Sequence, residues 1–503
     1  MSRAEGPAAS RRRSRLSSKA AFVIPAVALL AAAFPREAPA DDAPPAPEVQ
    51  RLRDELDAER RARAQERADL ERRLSALEKQ QRPTMTQDEI ASSIESYLQE
   101  KDLFDAAPRG AVIPSAGNLI DVSVILDAHF GTSTATDAAL SGAIALGDHD
   151  PHVRGANVRN EEIVFSADVD PYFYGFLDIV YKIDEEGASQ FELEEAYGLT
   201  TALPAHLQLK FGQFFTEFGR TNPTHPHSWE FHDYPVILGR VFGGDGWRGQ
   251  GMRLAWDVPV CTRCPIRVLA GWQNARGETQ ASFLGAAGEA VGEHVLEHRD
   301  VANLTDLAYH ARVEMSCDEP GRCGSTYTWL AGLSGGMGPN ATGPNGYTHL
   351  VGADFYLKWR PKATDAGWPW VAWQTEAVYR NYHADRQTQT VDDGLGGTTD
   401  VLVGTREYVD WGLYSQVVWG FRRPWSVGAR VDWADSDGVY AGEHFRASLA
   451  LSYYPSEFSR IRLQAQYDHV DGLSSAFPGD RDGNFSIWLG FDLSLGKHGA
   501  HKF

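Results

Sequence analysis

Long apolar runs and basic residues are both scarce in this chain. Its 503 residues are 43% hydrophobic, yet no stretch reaches the roughly 18 consecutive apolar residues of a membrane-spanning helix. A helical membrane protein is therefore disfavoured. Lys and Arg number 48 against 68 Asp and Glu, for a formal net charge of −20. This negative charge argues against a nucleic-acid partner, because the phosphates of a nucleic acid need a basic surface.

Cysteine is also rare, with only four residues in two close pairs. Cys261 and Cys264 stand in CTRC, and Cys317 and Cys323 stand in CDEPGRC. Two thiolate pairs could together hold a tetrahedral zinc ion. Disulfide bonds are favoured over zinc if the protein is exported to an oxidising compartment. The spacing leaves the connectivity open.

The N-terminus has the order of segments found in a secretory signal. Basic residues between 11 and 19 precede an apolar run over 20–34, which is followed by Ala38-Pro39-Ala40. This order predicts a signal peptide over 1–40. A retained membrane anchor is the alternative, but the run is short and Pro25 interrupts it. We therefore expect the mature protein outside the cytoplasm.

A helical region is predicted to follow the signal peptide. Residues 41–48 are rich in Pro and Ala and read as a flexible leader. Residues 49–82 carry Val and Leu at heptad spacing among charged residues and Ala, which predicts a helical stalk. Charged residues interrupt the heptad seam, so a short coiled coil and a single charged helix both remain open. Pro83 ends this helix, and 83–117 is predicted to contain a short helix and a linker.

From residue 118 onward the apolar pattern changes from a helical period to a period of two. Arg460, Arg462 and Gln464 alternate with Ile461 and Leu463, so that one face of the segment is polar and the other apolar. Segments of ten or more such residues recur, as a tilted strand needs to cross a bilayer. They predict that 118–503 forms an all-β transmembrane barrel of about 16 antiparallel strands. The predicted strands begin near Leu119, Ile163, Tyr172, Phe191, Leu207, Trp247, Pro265, Leu304, Tyr327, Tyr347, Trp368, Arg406, Trp425, Phe445, Arg460 and Phe485.

The connections between these strands alternate between long and short. Short turns such as Asp170-Pro171 and Arg422-Arg423-Pro424 separate the long connections. Long external loops and short periplasmic turns are the asymmetry of outer-membrane barrels. Closure is expected because an open sheet edge in lipid would leave backbone groups unpaired. The long connections are 131–160, 215–245, 276–303, 382–404 and 471–484.

Three segments carry a resemblance to known proteins: EIVFSADVDPYFYGFLDIVYKIDEEG, FELEEAYGLTTALPAHLQLKFGQFFTEFGRTNPTHPHSWEFHDYP and GGDGWRGQGMRLAWDVP. They resemble Gram-negative proteins labelled zinc-regulated TonB-dependent outer-membrane receptors and phosphate-selective porin O/P-like barrels. The resemblance is dense from about residue 118 to 260 and implies an outer-membrane barrel. The closing GAHKF is similar to the signal, ending in an aromatic residue such as Phe503, that the barrel assembly machinery reads. TonB-dependent receptors have a plug domain before the first strand, and the corresponding region here is shorter than such a plug. The resemblance therefore favours a porin. A homotrimer held together by the stalk is its expected assembly.

Alternation also predicts which charged side chains face the interior. Rings of such side chains set the selectivity of porins at a constriction, although any water-filled barrel has charged walls. Acidic residues are concentrated in the early strands and arginines in the later ones, which suggests a transverse field across the pore. The predicted lumen and constriction residues are Asp121, Asp127, Asp168, Lys210, Arg253, Arg267, Arg312, Arg430, Arg446, Arg460 and Arg462.

The third external connection, FFTEFGRTNPTHPHSWEFHDYP, is the most distinctive. We predict that it folds inward and constricts the pore. Within it, His225, His227, His232 and Asp233 form a candidate set of ligands for a divalent metal such as zinc. The alternative is that hydrogen-bonded histidines only pin the loop in place.

The predicted function is a porin-like channel in the outer membrane of a Gram-negative bacterium, with the stalk in the periplasm. It would pass ions or small hydrophilic solutes by diffusion, in contact with outer-membrane lipid. No catalytic residue is predicted, because HExxH and phosphate-loop signatures are missing and the scattered Ser and His residues do not establish a triad. No cofactor is expected apart from the zinc alternative. Metal-linked uptake, an envelope-tethering barrel and an outer-membrane hydrolase are the competing functions.

Overall fold

A computed structural model of the chain describes residues 120–496 except 186, 260–262, 322–323, 363–366, 393–397 and 438–441. The predicted signal peptide (1–40), leader (41–48), stalk (49–82) and short helix with linker (83–117) lie outside these residues. Cys261, Cys323 and Phe503 also lie outside them.

Antiparallel β-strands dominate the described residues. In chain order the strands are β1 (Asp121–Ser133), β2 (Gly155–Val158), β3 (Glu161–Asp170), β4 (Phe173–Ile183), β5 (Ser189–Thr200), β6 (Leu207–Phe215), β7 (Arg248–Val258), β8 (Ile266–Asn274), β9 (Ala290–Val291), β10 (His294–Val295), β11 (Leu307–Pro320), β12 (Thr326–Pro339), β13 (Tyr347–Arg360), β14 (Trp370–Ala384), β15 (Gln387–Asp392), β16 (Thr398–Val403), β17 (Arg406–Arg422), β18 (Trp425–Ser436), β19 (His444–Ser456), β20 (Ser459–Val470) and β21 (Gly483–Gly496).

The main sheet closes on itself to form a barrel. It contains 17 strands, but β2 and β3 pair with successive parts of β1 on the same side, so 16 strands form the ring. The first strand, β1, pairs with β3 on one side and with the last strand, β21, on the other. The predicted closed barrel of 16 antiparallel strands is confirmed. The predicted strand starts differ from the observed ones by at most three residues, the largest difference being at Leu304, three residues before β11.

The two faces of each strand differ as the alternation predicts. On β20 the side chain of Arg462 is buried inside the barrel, with 1% of its surface exposed, whereas Leu463 is 43% exposed on the outside. A strand places successive side chains on opposite faces, so a period of two in the sequence becomes an apolar exterior and a polar interior. No helix in the described residues has both the length and the apolar character needed to cross a bilayer.

Long and short connections lie at opposite ends of the barrel. At the end that we call the loop end, residues 134–160 (loop L1) follow β1, residues 216–247 (loop L3) follow β6, and residues 275–306 (loop L4) follow β8. At the other end, which we call the turn end, strands are joined by connections as short as 171–172 and 423–424.

A disulfide bond lies near the turn end. It joins Cys264, in the connection before β8, to Cys317 on the adjacent strand β11, with a Cα–Cα distance of 4.4 Å. These two sulfur atoms are therefore bonded to each other rather than free to bind zinc as thiolates.

The apolar core lies inside the barrel and is built largely from L3 and L4. The L3 helix Val236–Phe242 is buried along its whole length. It packs with Trp247 of L3, Phe283 of L4 and wall residues such as Tyr382. An apolar helix is stable within a polar barrel only if another element covers it, and L4 and the aromatic wall residues provide that cover.

Candidate functional site

L3 begins at β6 and crosses the barrel interior to β14 and β18, on the far side of the ring of strands. Near its start, the amide of Thr221 donates a hydrogen bond of 2.9 Å to Glu376 on β14. Farther along, the amide of Val236 donates one of 3.2 Å to Asp432 on β18. L3 therefore lies inside the barrel.

Asp233 is the most heavily bonded acidic residue of L3. Its carboxylate accepts hydrogen bonds from Arg430 on β18, from Arg446 on β19 at 2.5 Å and from Gln464 on β20 at 2.5 Å. Burial favours the neutral acid, but the positive charges of Arg430 and Arg446 outweigh burial and lower its pKa. Asp233 thus joins three adjacent strands to L3 through charged groups.

Arg460 and Arg462, both predicted to face the interior, share one acidic partner. Both donate to Asp492 on β21, Arg462 at 3.0 Å. Arg460 also donates to the L3 carbonyl groups of His227 at 2.8 Å and Trp229 at 2.7 Å. Charged wall residues therefore hold the backbone of L3.

Lys210 and Arg253, predicted to line the lumen, meet at the first acidic residue of L3. Glu217 accepts from Arg253 at 2.6 Å and lies 3.1 Å from the Lys210 ammonium. Burial opposes the charge of Glu217, but the two cations outweigh burial and lower its pKa well below the usual range. This ion cluster anchors the start of L3 to β6 and β7.

Arg267 and Arg312, also on the predicted lumen list, both contact residues of the wall. Arg267 donates to Gln208 at 2.7 Å. Arg312 forms a bidentate pair with Asp354, at 2.5 and 2.9 Å. The bidentate pair ties β11 to β13 across β12.

The three predicted acidic lumen residues lie in different surroundings. Asp127 is buried, with one carboxylate oxygen 3.2 Å from the His129 ring. Asp121 is half-buried at the start of β1, and Asp168 is exposed near the end of β3. The structure therefore does not bring these acids together at one constriction.

The structure also separates the four predicted metal ligands of L3. The rings of His225 and His227 stack with centroids 5.9 Å apart, against the wall formed by β3 to β5. His232 instead packs edge-to-face on His129, at 4.4 Å, and Asp233 points to its arginines. L3 follows the wall from β3 to β20 between these positions, so the four residues contact different groups of strands.

His225 lies instead among four buried carboxylates that we call the acidic pocket: Glu162 on β3, Asp178 on β4, and Glu194 and Glu195 on β5. The His225 Nδ1 atom is 3.0 Å from Glu194 and 3.4 Å from Asp178. The same atom is 4.0 Å from Glu162. The Nε2 atom is 3.1 Å from Glu195. The acidic pocket thus joins L3 to three neighbouring strands.

A β-bulge explains why the acidic pocket could not be read fully from the alternation. The pairing of β4 with β5 shifts in register between Asp178 and Ile179. As a result Glu194 and its neighbour Glu195 are both buried, although strict alternation would place one of them outside. The alternation of side chains along each strand already places Asp178 and Glu194 inside the barrel. Glu195 lies in the pocket only because the β-bulge turns its side chain inward.

We expect L1 to loosen at alkaline pH through His149. Its Nδ1 atom donates to the carbonyl of Arg159 at 2.7 Å, and its Nε2 atom lies 3.1 Å from Glu194. Burial opposes its charge, but the hydrogen bond and the charge of Glu194 outweigh burial and raise its pKa to about 10. Because the folded pKa is raised, this stabilisation is fully present below the ordinary pKa of about 6.5 and is lost as the pH rises through about 10.

The rate of proteolytic cleavage within 134–160, measured between pH 7 and 10, tests this expectation. Each unit of pKa shift corresponds to about tenfold in the population of the open loop, so cleavage should accelerate at least tenfold beyond the protease's own pH dependence. His149→Gln should remove the acceleration. His298→Gln, at a histidine whose side chain is 67% exposed on L4, is the control. A wild-type loop whose cleavage does not change over this range would contradict the expectation.

Comparisons with known proteins give distant relatives. No family model matches the chain. Over 419 residues it is 29% identical to an uncharacterized protein of Aquifex aeolicus (strain VF5), covering 76% of this chain and 80% of that protein. Its structure is similar to an anion-selective porin from Comamonas acidovorans, with 8% identity, a TM-score of 0.44, and 75% of this chain and all of that chain (100%) covered. It is also similar to the outer membrane channel DcaP of Acinetobacter baumannii, with 12% identity, a TM-score of 0.42, and 77% and 100% of the two chains covered.

Proposed function

We propose that this protein spans the outer membrane of a Gram-negative bacterium as a channel for ions or small hydrophilic solutes. The observation that carries the proposal is the closed ring of strands with an apolar exterior and a charged interior. A water-soluble barrel would need a polar exterior, whereas a barrel in lipid needs an apolar one and complete backbone pairing. The channel itself is inferred from the charged interior.

The exterior supports a membrane position. On β17, Trp411 and Trp419 are 48% and 51% exposed, and the residues between them include the exposed Leu413 and Val417. The two tryptophans are separated by about 27 Å along the strand, or roughly 20 Å along the membrane normal at a tilt of about 40°. This separation is close to the apolar band of about 25 Å that aromatic girdles flank in outer-membrane barrels.

The interior supports selection by size. L3 and L4 occupy much of the barrel at the loop end, so any route for solute must pass beside them. A cavity of about 350 Å³ opens next to L1 and has a charged lining. We infer that L3 is the constriction and that such charged walls filter solutes electrostatically. The cavity is lined by Ser141, Asp148, His152, Arg159, Lys182, Asp184, Glu185 and Gln190.

The wall charges support a transverse field only in part. Acids cluster on β3 to β5, and arginines on β18 to β20. Arg430, Arg446 and Arg460 are, however, each paired with an aspartate. The transverse electric field would therefore arise mainly from the acidic pocket, whose carboxylates have fewer cationic partners than the arginines have aspartates.

Single-channel recording of the full-length protein in planar bilayers tests the proposal. We expect discrete conductance steps, smaller than those of an open barrel of the same strand number because L3 and L4 fill part of the lumen. Adding millimolar zinc or phosphate separately shows whether either one changes the current. Insertion without any steps would contradict the channel and would favour a barrel that serves as a structural anchor.

The remaining assignments stay predictions. They are the resemblance to zinc-regulated TonB-dependent receptors and phosphate-selective porins, the homotrimer held by the stalk, and recognition of Phe503 by the barrel assembly machinery. Retention on peptidoglycan that is lost on deletion of 49–82 would support an envelope tether instead. Lipid or peptide hydrolysis that is lost on a single Ser or His substitution would support a hydrolase.

A further inference from the structure

The acidic pocket contains buried carboxylate oxygens that make no hydrogen bond. Asp178 is fully buried, and neither of its oxygens accepts a hydrogen bond. One oxygen of Glu162, one oxygen of Glu194 and the Nδ1 atom of His225 are also buried without a hydrogen-bond partner. Burying a carboxylate without a compensating partner costs several kcal/mol or more. The pocket therefore has an unmet need for positive charge.

The remaining atoms of these carboxylates are held by neighbours. Glu162 Oε1 accepts from Asn160 at 2.7 Å and lies 2.8 Å from His227 Nδ1. Glu194 Oε1 lies 3.1 Å from His149 Nε2. Each glutamate is thus oriented through one oxygen, which leaves its other oxygen facing the pocket. This is the arrangement by which outer partners orient metal ligands.

His225 is oriented in the same manner. Its Nε2 atom is 3.1 Å from Glu195, whose carboxylate can accept a hydrogen bond from the Nε2–H group. In that tautomer Nδ1 carries a lone pair and faces the other three carboxylates. A histidine that donates one ring N–H to a carboxylate and turns the other nitrogen to a metal is the usual form of a histidine ligand.

The distances agree with ligand atoms around one ion. Ligand oxygens of Glu162 and Asp178 and a ring nitrogen of His225 all lie within 4.8 Å of one another. His225 Nδ1 is 3.0 Å from Glu194 Oε2 and 3.4 Å from Asp178 Oδ2. Neighbouring ligand atoms on metal bonds of about 2.1 Å are separated by about 3.0 to 3.4 Å.

We propose that Glu162, Asp178, Glu194 and His225 bind one divalent transition-metal ion, Mn²⁺ or Zn²⁺, inside the barrel. Carboxylates favour Mn²⁺ and imidazole favours Zn²⁺, so this mixed set suits both ions. The site goes beyond the proposed channel function and does not depend on conduction. Because His225 belongs to L3, a bound ion would also fasten L3 to β3, β4 and β5.

A second group of acids nearby has more basic neighbours, although one oxygen of Asp245 is also buried without a hydrogen-bond partner. Asp148, Glu192 and Asp245 lie within ligand distance of one another. Lys182, however, contacts Asp148 and lies 3.3 Å from Glu192, and Arg248 also contacts Glu192. Lysine and arginine side chains thus contact two of these three acids directly. In the acidic pocket, Arg248 lies 3.7 Å from Glu194 Oε1, the oxygen that His149 also contacts.

Manganese binding by the full-length protein in detergent tests the proposal. After the protein has been stripped with EDTA, the electron paramagnetic resonance signal of free Mn²⁺ should fall until one ion per chain is bound, and Zn²⁺ should displace it. Asp178→Asn and Glu162→Gln should each weaken binding at least tenfold, and Glu195→Gln should weaken it by about 10-fold to 100-fold as an outer partner. Asp245→Asn, the same kind of change in the second acidic group, should leave binding unchanged.

The outcomes separate the site from its alternatives. Asp178→Asn keeps the shape of the side chain and removes a buried charge, so this variant should fold, and the heat-modified mobility of the barrel on gels verifies that. The proposal is overturned if the wild type retains neither ion at millimolar concentration. It is also overturned if Asp178→Asn binds as well as the wild type, or if Asp245→Asn is the variant that loses the ion. A silent bilayer recording would leave this result unaffected.

Discussion

Replacing Asp233 with alanine should release L3 from the wall formed by β18, β19 and β20. The substitution leaves Arg430 and Arg446 buried, with their shared L3 partner removed. Breaking a buried ion pair costs about 3 to 5 kcal/mol when the remaining charge has no other partner. Arg430 keeps Asp432 and Arg446 keeps Asp468, so the cost here lies below that range. We therefore expect the population with L3 undocked to rise roughly tenfold to a hundredfold.

The rate of proteolytic cleavage within 216–247 measures this release directly. A bilayer recording should at the same time show larger or noisier conductance steps, since the undocked loop no longer fills the lumen. Asp300→Ala is the control, because this L4 aspartate pairs with Arg276 at a site where its side chain is 75% exposed. Exposed pairs contribute at most about 1 kcal/mol. Equal cleavage rates in the two variants would show that Asp233 does not hold L3.

Replacing Leu449 with arginine should strongly impair folding of the barrel into lipid. Leu449 lies at the middle of β19, with 61% of its surface exposed on the outer face and with Ala429 and Ala465 as its cross-strand neighbours. An arginine at the midplane of a bilayer costs a barrel about 2 to 4 kcal/mol. In a water-soluble protein, the same exposed substitution would change stability by only about 0.5 kcal/mol.

The free energy of unfolding from lipid vesicles, measured with urea, decides between these cases. Leu304→Arg is the matched control, since Leu304 is 71% exposed just before β11 at the loop end, outside the expected apolar band. If the barrel spans a membrane, only Leu449→Arg should lower the free energy of unfolding by the larger amount. Similar small effects of both substitutions would contradict the membrane position of the barrel.

The strands and their faces were predictable because each depends on local sequence. Polar and apolar residues alternate along β20, and this pattern identifies the strand, its approximate ends and the face on which Arg462 lies. The lengths of the connections likewise predicted which end of the barrel carries the large loops. Closure followed from the cost of unpaired backbone groups at a sheet edge.

The interior was less predictable because its contacts join residues far apart in the chain. The length and composition of L3 indicated an inward loop, but not that Asp233 would meet Arg430 and Arg446, about 200 residues later. The prediction that His225 and His232 share a metal site relied on their closeness in sequence. L3 follows the wall between them, so that His225 contacts acids of β3 to β5 whereas His232 packs on His129 of β1.

The sequence by itself determined the barrel, its number of strands and the polarity of its two faces, because these follow from a repeat of two residues that each strand carries alone. Only the tertiary structure decided the contents of the lumen. The course of L3, the β-bulge that turns Glu195 inward and the meeting of Glu162, Asp178 and Glu194 around His225 depend on the packing of the loop against the closed wall. That packing is set by long-range charge pairing and apolar burial, which have no periodic signal in the sequence.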